Sequence, residues 1–177
     1  KDKCLGCTNC IKRCPTEAIR VREGKAQIIS ERCIDCGECI RVCPHHAKKA
    51  RYDHLSVLEG WKYKIAIPAP ALFGQFNNLD DIDIVLTGLK QMGFDYVFDT
   101  NFTADLTIME EGSEFVDRFT HRERYTWPMF TSCCPGWVRF LKGQFPDYTD
   151  NLSTAKSPQQ MFGALAKSYF AEKIGVD

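Results

Sequence analysis

The 177-residue sequence lacks a charge of one sign, since 23 Lys plus Arg are cancelled by 23 Asp plus Glu. Such a balance argues against nucleic acid or an anionic membrane as the main partner, because either favours a clustered basic excess. Long hydrophobic runs are missing too. No apolar stretch approaches the ~20 residues of a bilayer span, so none is expected. Nor does the chain open on a secretory leader, which points to a reducing, cytoplasmic compartment. It starts at Lys1 with its first cysteine at position 4, and reads as trimmed from something longer. Cysteine itself is absent after Cys134, although the chain has 10 in all. With 44% hydrophobic residues there is enough for one sizeable core and a small metal-bound domain.

What is present is concentrated between Cys4 and Pro44. Cys4, Cys7, Cys10 and Cys14-Pro15 follow C-x2-C-x2-C-x3-C-P, and Cys33, Cys36, Cys39 and Cys43-Pro44 repeat it. Three closely spaced thiolates on a tight loop can grip three corners of an iron–sulfur cube. The fourth, carried onward by a helical turn, points at the other cube. The ligand sets should therefore cross: Cys4, Cys7, Cys10 and Cys43 for one 4Fe–4S cluster, and Cys33, Cys36, Cys39 and Cys14 for the second. Each Pro stops its turn, and Gly6 and Gly37 allow close approach to inorganic sulfide. A zinc ribbon would need two C-x2-C pairs, not triplets with a trailing fourth Cys. Disulfides fit the even count but not a reducing compartment. The pattern resembles a bacterial two-cluster ferredoxin domain.

Residues 1–58 are expected to form this α+β ferredoxin-like unit, with a hairpin of Ala18–Arg22 and Lys25–Ile29 around Glu23-Gly24. So little apolar surface requires the clusters for stability. His45 and His46 are read as partly exposed residues of a Lys/Arg-rich helix from Pro44 to about His54, not as ligands. Lys48, Lys49 and Arg51 on it would favour reduced clusters electrostatically.

Residues 59–177 should form a second domain. A strand at Lys64–Ile67 ends at Pro68–Ala71. The polar stretch Asn77–Asp81 leads into a helix with Ile82, Val85, Leu86 and Leu89 on one face and Gly93 as its stop. A strand at Phe94–Phe98 follows, then a helix over about Thr103–Glu123 with Leu106, Met109, Phe115, Val116 and Phe119 on its apolar side. A third strand is expected at Pro128–Thr131, and helices at about Gly136–Gln144 and Pro158–Ile174, the latter capped by Ser157-Pro158. This alternation implies an α/β Rossmann-like lobe with a short parallel sheet.

At the carboxyl end of the third strand, where open α/β sheets place ligands, stands Thr131-Ser-Cys-Cys-Pro-Gly-Trp137. Neighbouring side chains diverge, so Cys133 and Cys134 are expected to divide into one iron ligand and one free thiol. Alone, such a pair would more often be two ordinary buried cysteines. The cluster domain upstream changes that weighing, because an electron wire ends at a redox centre.

With Ala104–Glu111 and Asn151–Gln160, this motif makes the whole chain resemble the amino-terminal part of an iron-only (FeFe) hydrogenase. The resemblance implies a catalytic 4Fe–4S cube joined by one thiolate to a diiron unit, assembled only in the complete protein. It makes Cys134 a cube ligand and Cys133 the thiol that passes protons to the diiron site. It also implies a proton route through Cys133, Glu111, Ser153 and Glu114, with Arg118 at the outer end, and a pocket lined by Ala69, Pro70 and Ala71. Glu111, Glu114 and Arg118 recur at i, i+3 and i+7, as a polar track would, although a solvated face with a Glu114–Arg118 pair has the same spacing. Implied partners are dihydrogen and protons, a ferredoxin-like electron donor or acceptor, and the rest of a hydrogenase chain carrying the other cube cysteines. A hydrogenase-like iron–sulfur assembly or sensory protein is the competing class, and a plain ferredoxin leaves everything after the cluster domain unexplained.

Overall fold

The computed structural model describes residues 2–76 and 82–176, so the expected polar stretch Asn77–Asp81 lies outside the described residues. In chain order the elements are α1 (Asn9–Lys12), β1 (Ile19–Arg22), β2 (Lys25–Ile28), α2 (Glu38–Arg41), β3 (Ile65–Ala66), α3 (Pro70–Phe73), α4 (Asp83–Gln91), β4 (Tyr96–Val97), α5 (Asn101–Thr120), α6 (Pro135–Gln144), α7 (Pro158–Leu165) and α8 (Ala171–Lys173). Short 3-10 turns lie at Ser30–Arg32, Leu55–Leu58, Arg122–Arg124 and Pro146–Asn151. The described residues form two compact units, one of residues 1–53 with 134–152 and the other of 54–133 with 153–177.

The first unit is built by repetition. β1 and β2 make the expected hairpin, antiparallel with Ile19 opposite Ile28 and Arg22 opposite Lys25. Left-handed backbone recurs at equivalent places in the two cysteine motifs: Gly6 (φ 69) and Asp35 (φ 55), Thr8 (φ 65) and Gly37 (φ 75), Glu17 (φ 51) and His46 (φ 47). Thr8 and Gly37 precede α1 and α2, so each triplet of cysteines bends the same way before its helical turn. Glycine is required at only one of these places. A Cβ on Gly6 would stand 2.8 Å from the Gly24 carbonyl oxygen, which no side chain tolerates.

The same repetition overturns the helix expected from Pro44 to His54. At His46 the backbone turns left-handed as it does at Glu17, and the segment to His54 contains no helix. The physical reason is a competing acceptor. The Ala47 N–H donates to Cys43 Sγ at 3.3 Å, as the Ala18 N–H does to Cys14 Sγ at 3.2 Å, so these amides serve sulfur and not an i−4 carbonyl. α6 completes this unit, in which Leu141, Ala18 and Ile19 are all buried.

In the second unit β3 and β4 pair in parallel, Ile65 opposite Tyr96 and Ala66 opposite Val97. α4 makes the crossover, and Gly93 at φ 99 ends it as expected. Tyr96 and Phe98 meet Phe170 edge-on at centroid distances of 4.9 and 5.1 Å, closing the lobe on its last helical segment. That segment starts with a complete capping box, the Gln160 N–H donating to Ser157 Oγ and the Ser157 N–H to Gln160 Oε1.

Two expectations for this unit are corrected. The stretch 128–131 does not join the sheet, which among the described residues has two strands, and its Phe130 carbonyl instead accepts from Ser153 N–H at 2.7 Å. Small sheets and many helices are what the structure contains. α5 also turns a different face inward. Its buried residues are Thr103, Thr107 and Arg118, while Ile108 and Met109 (both 68% exposed), Phe115, Val116 and Phe119 lie open. The two threonines can face inward because their hydroxyls return to the Thr100 and Thr103 carbonyls, leaving no unsatisfied donor.

Candidate functional site

The cysteines of the first unit gather in two pockets. One is lined by Cys4, Cys7 and Cys10 from the first motif with Cys43 from the second. The other is lined by Cys33, Cys36 and Cys39 with Cys14. All ten cysteines are free thiols. Among the described residues no three His, Cys, Asp or Glu side chains converge on the position of a single metal ion. Convergence is not what a cube requires, because its ligands grip four separate corners.

The thiol environments differ within each set of cysteines. Backbone N–H groups of Ala26 and Gly6 hold the Cys4 thiol below its ordinary pKa, and the amides of Ala47, His45 and Lys48 do the same for Cys43. Burial pushes Cys10, Cys39 and Cys33 up. A sulfide-rich cube would take the place of the lost water around these three.

Cys134 stands at the amino end of α6, with Pro135 opening the helix. Within the first unit this end lies against the loop of the second cysteine pocket. Cys134, Pro135, Gly136 and Trp137 share a cleft with Ile34, Asp35 and Cys36. A Cβ on Gly136 would stand 3.2 Å from the Ile34 carbonyl oxygen, and the Arg139 guanidinium pairs with the Asp35 carboxylate. The Asp35–Arg139 pair escaped the sequence reading, since the partners are far apart in the chain and Asp35 fills a position that the spacing of its cysteine motif leaves open.

The second unit positions the remaining candidates. Arg118 donates from Nε and one Nη to Glu114 Oε1 at 3.0 and 2.6 Å. Ser153 Oγ donates to Glu114 Oε2 at 2.6 Å, and the Thr154 N–H adds a further bond to that carboxylate. Burial raises the Glu114 pKa, but the bonds from Ser153, Arg118 and Thr154 outweigh it and hold the carboxyl below its ordinary value. Glu111, one turn earlier, accepts from the Ser132 N–H at 3.1 Å, and Ser132 Oγ donates to the Ala155 carbonyl at 2.9 Å. Thus Ser153, Glu114 and Arg118 are brought into direct contact, while Glu111 holds the residue beside Cys133 and bonds neither Ser153 nor Cys133. Cys133 is exposed.

Ala69 precedes α3, and Ala69, Pro70 and Ala71 are exposed. Their approach is fixed by Thr100, whose buried hydroxyl donates to the Pro68 carbonyl at 2.7 Å. Thr100 was not singled out from sequence, although a threonine preceding a helix is a recognisable signal.

Each pocket gathers four thiols, three from one motif and the fourth from the other, the number and kind of donor that an iron–sulfur cube takes. Residues 62–176 match the family described as iron only hydrogenase large subunit, C-terminal domain, and residues 1–44 match a 4Fe-4S dicluster domain. The chain belongs to the iron-only hydrogenase large-subunit family. It is 40% identical to the NADP-reducing hydrogenase subunit HndD of Solidesulfovibrio fructosivorans, over 98% of this chain and 27% of that protein. It is 44% identical to the periplasmic [Fe] hydrogenase large subunit of Nitratidesulfovibrio vulgaris, over 99% of this chain and 45% of that protein. A nuclear prelamin A recognition factor of Homo sapiens is 45% identical over 59% of this chain and 24% of its own. Among solved structures, apo [FeFe]-hydrogenase HydA1 from Chlamydomonas reinhardtii matches with a TM-score of 0.57 and 46% identity, over 64% of this chain and 30% of that one. The chain thus spans less than half the length of these relatives.

Proposed function

We propose that this chain is the electron-relay domain and first catalytic lobe of an iron-only hydrogenase, which interconverts protons and electrons with dihydrogen. Residues 1–58 serve as the relay and 59–177 as the incomplete, Rossmann-like lobe. The observation that carries the reading is the placement of Cys134 in the same cleft as Cys36, a ligand of the second cluster set, so that a cube held there would lie next to the relay.

Two 4Fe–4S clusters would accept and pass single electrons when bound, supplied by a ferredoxin-like partner. The residues present fit them, with Cys4, Cys7, Cys10 and Cys43 for one and Cys14, Cys33, Cys36 and Cys39 for the other. The catalytic cube is a different case. It needs four strong ligands and this chain offers only Cys134, so the remaining ligands belong to another part of the hydrogenase. What the second unit's own residues supply is proton handling. Arg118 keeps Glu114 ionised at the outer end, Ser153 Oγ bridges inward, and Glu111 fixes the Ser132 backbone next to the Cys133 thiol. Ala69, Pro70 and Ala71 provide a small apolar wall suited to excluding water. A cytoplasmic, anaerobic setting belongs to this reading although one relative is named periplasmic. Among the described residues no helix is long and apolar enough to cross a membrane.

A non-catalytic iron–sulfur assembly or sensory role is the second reading, kept by the match to relatives whose name carries no hydrogenase activity. Substitutions in the full-length protein separate the two. Cys133→Ala should abolish most turnover yet keep the catalytic cluster's spectrum, whereas Cys134→Ala should lose that cluster. Equal loss of the cluster in both would refute this division of roles, and absence of turnover in the intact unmodified protein would favour the second reading.

A further inference from the structure

Of the three cations that follow the second cysteine motif, one stands where the two pockets meet. Lys48 lines both the pocket of Cys4, Cys7, Cys10 and Cys43 and that of Cys14, Cys33, Cys36 and Cys39. Lys49 and Arg51 line the second alone and are exposed. The Lys48 ammonium is also anchored. Its Nζ donates to the Ala26 carbonyl at 3.1 Å, and the same Ala26 turns its N–H to Cys4 Sγ at 3.3 Å. The chain after Pro44 is not helical but turns left-handed at His46, two residues before the lysine that reaches Ala26.

A half-buried positive charge held on the backbone between two redox centres stabilises whichever centre gains an electron, and it is screened less than an exposed one. Lys25 provides the contrast. It is tied to the Cys4 and Asp2 carbonyls at 2.7 and 3.4 Å, on the side of the first pocket only.

We propose that Lys48 is a shared electrostatic tuner of the relay, raising the reduction potentials of both clusters together so that they stay matched. This rests on the two-cluster reading. Each cluster takes up one electron from an added reductant and no bond changes, so the lysine acts through its charge alone. A common shift leaves the step between the clusters unchanged while easing entry of the first electron. A charge near only one cluster would instead tilt the pair.

The test is a spectroscopic redox titration of the anaerobically loaded chain, with iron counted in every sample. Lys48→Gln and Lys48→Met should lower both midpoint potentials by about tenfold in each reduction equilibrium, ~59 mV for one electron. Lys48→Arg should leave them in place, whereas Lys49→Gln, at the second pocket alone, and Lys25→Gln, beside the first, should each move one cluster at most. A wild-type chain that loads no clusters would defeat the two-cluster reading itself. Loaded Lys48 variants with one shifted cluster, or none, would defeat the tuner and leave that reading intact. If both neutral variants failed to load while Lys48→Arg loaded, Lys48 would be an assembly residue, and the proposal would be overturned.

Discussion

At the scale of single residues, the second unit depends on an ion pair taken out of water. Arg118 and Glu114 have side chains 6% and 17% exposed, the carboxylate also accepts from Ser153 Oγ and the Thr154 N–H, and Ser153 Oγ in turn accepts from the Ala155 N–H. Removing one partner strands a charge, so Arg118→Ala should destabilise by about 3–5 kcal/mol, measured by denaturant unfolding. The pH dependence follows from the direction of the Glu114 shift. Its folded-state pKa is depressed, so its contribution is fully present above the unfolded value of about 4.3 and is lost as pH falls through the folded value. Glu114→Gln should flatten the acid limb of the stability profile. An unchanged slope would show that other carboxylates control it.

At the scale of elements, the backbone of the cysteine loops is more constrained than their sequence suggests. Gly6 combines φ 69 with a carbonyl 2.8 Å from any added Cβ, so Gly6→Ala should disorder the first loop. Iron content should fall toward one cluster, while Gly37→Ala, which meets nothing within 4 Å, should be milder. Equal iron in both variants would contradict this. Legibility differed among elements for physical reasons. The hairpin, α4 with Gly93, and the Ser157 cap were readable because each is set by local turn or cap chemistry. The helix expected after Pro44 was not, because propensity carries no record of Ala47 N–H turning to a cysteine sulfur. The inward face of α5 was misjudged because periodicity assigns apolar residues inward, whereas here self-satisfied threonines and the Arg118–Glu114 pair occupy that side. The cysteine spacing announced the crossing of the two motifs, but the Asp35–Arg139 and Lys48–Ala26 contacts depend on tertiary proximity that no local pattern encodes.

At the scale of the whole molecule, several large apolar side chains of the second unit lie exposed among the described residues. Ile108, Met109, Val116 and Phe119 on α5 are open, as are Ala69–Ala71. Patches of this kind drive association, so residues 1–177 should self-associate with concentration in sedimentation experiments. Met109→Glu with Val116→Lys should suppress it, and a monomer at all concentrations would contradict the expectation. The same chain should evolve no dihydrogen even after incubation with a synthetic diiron complex, because Cys134 alone cannot hold a cube. Measurable evolution would overturn the ligand count.

The central claim is that the two cysteine motifs exchange their fourth ligands, and paired substitutions test it most directly. Cys4 and Cys43 line one pocket and Cys14 lines the other. After anaerobic reconstitution the unaltered chain should hold about eight irons, as two 4Fe–4S cubes require. Cys4→Ala with Cys43→Ala removes two ligands of one cluster and should leave about four irons with a single cluster's reduced-state spectrum. Cys4→Ala with Cys14→Ala removes one ligand from each and should strip both. The reverse pattern, in which the Cys4/Cys14 double variant keeps one intact cluster and the Cys4/Cys43 variant keeps none, would contradict crossed ligation.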